Sequence, residues 1–104
     1  MYKFAAISLI ILFVASCDTE PEQINYDILV SGSDDYPQYK EAFITATKRL
    51  ILTGKCDSND FEYIGGWVKS TNYVDDPIYF MYCGEMSNDG KIYLNTETGE
   101  VFRQ

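Results

Sequence analysis

Hydrophobic and polar residues follow three different rhythms along this chain. Phe4 to Val14 is an almost unbroken apolar run of eleven residues, interrupted only by Ser8. Between Tyr36 and Thr53 the spacing changes: Tyr39, Phe43, Ala46, Leu50 and Thr53 recur at steps of three and four, which predicts an amphipathic helix. Asp35 stands where an N-cap would, with Gln38 three residues on, Pro37 falls in the first turn, and Gly54 sits where a glycine ends a helix. The last third reads as sheet, with Ile78–Cys83 apolar on both faces. Ile78–Cys83, Lys91–Asn95 and Glu100–Arg103 read as three strands of an antiparallel meander, separated by the turn-rich Ser87-Asn88-Asp89-Gly90 and by Thr98-Gly99. Gly99 suits the left-handed position of a three-residue hairpin loop.

Weaker signals fill the gaps. Tyr26, Ile28 and Val30 alternate as in a short strand, with a helical turn as the competing reading, before Ser31-Gly32-Ser33-Asp34-Asp35 ends the segment. Asn59 followed by Glu62 suggests a capping box for a helix of one or two turns, stopped by Gly65-Gly66. Asp57-Ser58-Asn59 opens like a calcium loop, but Glu62 stands where that loop needs glycine, so calcium is rejected. The expected fold class is therefore α+β: one main amphipathic helix and a short helix packed on a three-stranded antiparallel meander.

The first rhythm concerns location. Lys3 followed by an apolar run too short for the roughly 20 residues of a membrane span reads as a signal peptide. Val14-Ala15-Ser16-Cys17 resembles the lipobox of bacterial lipoproteins, usually Leu-Ala-Gly/Ala/Ser-Cys, with Val14 in place of the commoner leucine. The resemblance covers residues 1–17. It implies that residues 1–16 are removed, that the Cys17 thiol is acylated, and that palmitate-type chains hold the mature protein on a membrane, since stable anchoring takes about two chains. A plain cleaved signal or a short uncleaved anchor are the competing readings. Asp18 resembles the acidic signal that keeps enterobacterial lipoproteins in the inner membrane, so the expected location is the extracytoplasmic, periplasmic face of the cell membrane. Residues 17–25 then form a lipidated cysteine with a polar, flexible tether, and residues 26–104 a single small domain.

Removing the signal makes the charge clearer. All sixteen acidic residues but only seven basic ones follow Cys17, a net charge of −9. That argues against nucleic acid and against charge-driven docking on anionic lipid, and it suits either a soluble, stand-off domain or a surface that meets a basic protein partner. Lys48, Arg49 and Lys55 gather at the carboxyl end of the main helix, where they complement its dipole. Cys56 and Cys83 are the only cysteines besides Cys17, and in an oxidising compartment they are expected to be joined. No Cys-x-x-Cys motif accompanies them, and with no histidine in the chain neither metal binding nor Ser-His or Cys-His catalysis has its usual residues. The acidic pairs Asp34-Asp35 and Asp75-Asp76 lie where capping and turns use them. No catalytic residue and no cofactor is assigned, and the chain is not read as an enzyme.

The candidate partner-binding residues are Trp67, Ile78, Phe80 and Tyr82. Trp67, the only tryptophan, is either a core plug or a partner anchor beside the double glycine. If Cys83 reaches Cys56, then Tyr79 and Met81 face the helices and Ile78, Phe80 and Tyr82 face away. That second face is either covered by Trp67, Tyr73 and the first segment, or left open for a protein. The stretch Lys91–Phe102 is similar to the last hairpin of PepSY-like periplasmic domains, which implies no more than α+β architecture. Two functions follow: a tethered binding or inhibitory module of the immunity or exclusion type, and a structural accessory subunit of an envelope complex. A small-ligand carrier would need an enclosed apolar pocket that so short a chain can scarcely spare.

Overall fold

The computed structural model describes residues 24–103. The expected signal peptide, Cys17 and the first part of the expected tether lie outside the described residues. The elements are α1 (Tyr26–Val30), α2 (Tyr36–Leu52), α3 (Ser58–Ile64), β1 (Val68–Lys69), β2 (Ile78–Tyr82), a 3-10 turn at Asn88–Gly90, β3 (Lys91–Asn95) and β4 (Val101–Phe102). The strands make one antiparallel sheet in the order β1-β2-β3-β4, with the helices packed on one face, so the fold is α+β. The meander is present, but β1 adds a fourth strand at its edge, pairing Val68 with Phe80 and Lys69 with Tyr79. Two residues are too few to carry a period of two, which is why the pattern of the sequence did not reveal this strand.

Residues 26–30 are helical, not extended. Asn25 accepts a hydrogen bond from the Ile28 amide on its side-chain oxygen (3.1 Å), capping the turn, and Leu29 and Val30 are buried while Ile28 is 67 % exposed. The alternation of Tyr26, Ile28 and Val30 therefore does not mark the buried side. Ile24 packs against the core and Asn25 caps α1, so the folded part includes both, two residues ahead of the expected domain start.

In α2 the buried positions are Phe43, Ala46, Thr47 and Leu50. Of the expected stripe Tyr39 is only partly buried and Thr53 is exposed, while Thr47, outside that stripe, is buried where its hydroxyl accepts the Trp67 indole N–H. Gly54, at φ 79°, ends the helix: its amide donates to Ile51 and that of Lys55 to Leu50, so the last carbonyls are satisfied. Asp35 occupies the N-cap position, but its side chain does not cap the helix. It takes a left-handed conformation (φ 58°), and its carboxylate accepts the Tyr79 hydroxyl at 2.6 Å, fastening the start of α2 to the centre of the sheet. At the other end Arg49 donates to the Gly99 carbonyl at 3.0 Å and ties α2 to the last hairpin.

The capping box of α3 lies two residues earlier than expected. Asp57 accepts from the Asn59 amide (3.2 Å) and Asp60 accepts from the Asp57 amide (2.9 Å), so the pair is Asp57 with Asp60, not Asn59 with Glu62. The other carboxylate oxygen of Asp60 accepts from the Gly84 amide at 3.2 Å. That bond runs beside the Cys56–Cys83 disulfide, whose Cα atoms are 5.1 Å apart, so two links join α3 to the end of β2.

Trp67 fills the space between helices and sheet. Its ring lies nearly parallel to Phe43 (centroids 6.4 Å apart) and tilted against Phe61 (5.9 Å), and its indole N–H donates to the Thr47 hydroxyl at 3.0 Å. Its backbone is held as well: the Trp67 amide donates to the Ser33 hydroxyl (2.8 Å), and the Asp34 amide donates to the Trp67 carbonyl (2.9 Å). Gly66 makes this approach possible, because a Cβ there would lie 2.5 Å from the Ser33 hydroxyl oxygen and φ is 137°. Met81, Cys83, Ile92 and Leu94 complete this core from the sheet side.

Two outcomes are expected. Replacing both Cys56 and Cys83 with serine should cost roughly 3 kcal/mol by the chain-entropy relation, read as a lower denaturant midpoint; an unchanged midpoint would show that the staple adds nothing. Tyr79 is 2 % exposed, and its burial, followed by its bond to Asp35, raises its pKa well above the ordinary 10.0. The neutral phenol is thus favoured in the fold, so its contribution is complete below about pH 10 and is lost as pH rises beyond that. Tyr79→Phe should cost about 1 kcal/mol at neutral pH and make the alkaline decline of stability shallower.

Candidate protein-binding face

β2 divides its side chains between two environments. Tyr79, Met81 and then Cys83 point into the helix-side core, while Ile78, Phe80 and Tyr82 point the other way. The strand register decides what surrounds the second set. Phe80 lies opposite Tyr93 and Val68, Tyr82 opposite Lys91, Ile78 opposite Asn95, and Tyr93 opposite Phe102. Cross-strand pairing therefore gathers aromatic rings on one side of the sheet.

Their geometry is that of a connected cluster. Phe80 meets Tyr82 edge-on at 5.5 Å and Tyr93 at 6.5 Å, and Tyr93 stacks on Phe102 at 5.3 Å. Tyr73, from the connection between β1 and β2, sits edge-on to Tyr93 (5.5 Å) and Phe102 (6.1 Å), while Asn72 donates to the Tyr93 hydroxyl at 3.2 Å. The Lys91 ammonium stands 4.3 Å from the Phe80 ring centre, 5.2 Å from Tyr93 and 5.9 Å from Tyr82. A cation over three rings is attracted by their negative faces, and its apolar stem shields them in part. Tyr93 is buried, whereas Tyr73, Phe80, Tyr82, Lys91 and Phe102 remain partly exposed. None of these aromatic residues belongs to the helix-side core.

The four candidate partner-binding residues thus separate. Phe80 and Tyr82 lie together on this face and reach solvent. Ile78 shares the face but is only 6 % exposed. Trp67 is 0 % exposed and belongs to the helix-side core, so it is a core plug and not a surface anchor. The expected cover for the face is likewise corrected: Tyr73 does fold over it, but Trp67 packs with Phe43 and Phe61, and the first segment, α1, packs against α2 and α3. Tyr93, Phe102 and Lys91 were missed as site residues. Their shared side could be read only from the register across both hairpins, which a strand pattern does not supply.

The acidic pair at the start of α2 has a fold role. Asp34 accepts from the Lys69 amide at 2.8 Å and Asp35 from Tyr79, which locks this turn to β1 and β2. Cys17 lies outside the described residues. Among the described residues no helix is long and apolar enough to cross a membrane. No protein-family model, curated protein or solved structure matches the chain.

The division between core and face is measurable. Phe80→Ser and Tyr82→Ser should each lower stability by about 1 kcal/mol, because the lost side chains are only half-buried, whereas Trp67→Ala should cost about 3–5 kcal/mol. Denaturant midpoints of the three variants check this; equal losses would mean that the aromatic face is a second core.

Proposed function

We propose that this chain is a small bacterial lipoprotein whose domain is held by an acylated Cys17 on the extracytoplasmic face of the cell membrane, where it acts as a protein-binding or inhibitory module of the immunity or exclusion type. The observation that carries the reading is the partly exposed aromatic sheet face centred on Phe80 and Tyr82, with Lys91 beside them. Aromatic side chains supply large contact areas with little rotamer freedom to lose, and they dominate the tightly packed centres of protein interfaces. A permanent tether favours such a role: it keeps the domain concentrated at one membrane surface, where an incoming protein must pass. The acidic surface adds long-range attraction for a basic partner and speeds its encounter. Asp18 supports retention at the inner membrane.

The anchor and the activity can be tested separately. Cys17→Ala should leave the precursor at its full size and release the protein from the membrane fraction; unchanged processing and membrane association would overturn the lipoprotein reading. Deleting the protein should sensitise cells only when its target protein is present. Loss of a resident envelope complex without any challenge would instead mark a structural accessory subunit.

A further inference from the structure

Beside the aromatic face, and sharing Tyr82 with it, a groove of about 220 Å³ runs between α3 and the connection that leaves β2. Its apolar wall is formed by Tyr63, Ile64, Tyr82 and Met86, and its acidic rim by Asp60 and Glu85. Tyr63 is 80 % exposed and Met86 62 %, an unusual exposure for two large apolar side chains lining one groove. Among the described residues no lysine or arginine lines it. Its volume is below the roughly 300–1,000 Å³ of small-molecule sites, and matches a single long side chain better. Asp60 is fixed by its bonds to the Asp57 and Gly84 amides, so this negative charge is held in place before anything binds.

We propose that this groove receives an arginine or lysine side chain from the docking segment of the protein partner, an inference that rests on the protein-binding reading above. The stem of such a residue lies along Tyr63, Tyr82 and Met86, and its cationic head meets Asp60 and Glu85. A long cation is the one side-chain type that is apolar along its length and positive at its tip, which is the reverse image of this groove. The thioether of Met86 adapts to either stem. The net charge of −9 after Cys17 attracts a partner of the opposite, positive sign. Tyr82 belongs to both surfaces, so a segment seated on Phe80 lies next to the groove.

The test uses the full-length protein in detergent micelles, followed by amide NMR during titration with acetyl-Leu-Arg-Leu-amide and with the same peptide carrying citrulline, which keeps the shape of arginine and removes its charge. The arginine peptide should move the amides of Asp60, Tyr63, Gly84 and Glu85. The citrulline peptide should bind at least roughly fivefold more weakly, the worth of one exposed cation–π contact and one surface ion pair together. Glu85→Lys, at an exposed position, should abolish the response and leave the remaining spectrum unchanged. Equal binding of both peptides, or shifts mapping elsewhere, would overturn the groove assignment. Crosslinking in native membranes from a photoreactive residue at Phe80 separates the two readings. A specific protein captured there while the groove ignores charge overturns the groove alone. A charge-selective groove with no specific protein captured overturns the protein-binding reading, and with it the assignment of the cation to a protein.

Discussion

The arrangement of the helices depends on where Trp67 is held. One residue touches α2 through Phe43 and Thr47, α3 through Phe61, and the turn before α2 through Ser33 and Asp34. Each contact alone is ordinary. Together they fix two helices and the turn before α2 to one point of the sheet, because an indole satisfied on its ring nitrogen and held by its own amide and carbonyl has no second position of equal energy. The double glycine before it follows from the same constraint: Gly65 turns the chain out of α3 at φ 97°, and Gly66 leaves room for Ser33. The disulfide and the Asp60 bond to Gly84 then secure the far end of α3.

Much of this could be read from residue spacing. The Phe43, Ala46 and Leu50 positions of α2, its glycine stop and the last hairpin with Gly99 in the left-handed region follow from local chemistry that needs few distant contacts to be decisive, and the Cys56–Cys83 link is expected because these are the only cysteines besides Cys17. The failures have local causes. The α1 segment and the extra strand β1 are very short elements, where periodicity carries little information, and the sequence misplaces the α3 capping box because Asn59 with Glu62 and Asp57 with Asp60 offer the same spacing two residues apart. The face was legible in part: strand alternation separates Phe80 and Tyr82 from Tyr79 and Met81, but Tyr93, Phe102 and Lys91 join them only through register. Trp67 carried two readings because its composition suits both a core and an interface, and only burial distinguishes them.

Acidic residues do two kinds of work in this domain. Asp34, Asp35, Asp57 and Asp60 accept hydrogen bonds that hold turns, helix starts and the sheet together. Others, such as Glu62 and Glu85, stand exposed and contribute to the field around the molecule. Substitutions in the two groups therefore have different effects. Losing a carboxylate from the first group removes an acceptor from a packed junction, whereas neutralising one from the second alters what the surface attracts and leaves the fold nearly unchanged.

Both edges of the sheet are only two residues long, and on one of them the Lys69 amide is already taken by Asp34. Such edges offer little main chain for another strand to extend. On the protein-binding proposal a partner reads side chains instead, and retargeting the domain requires only new rings or charges on an unchanged backbone.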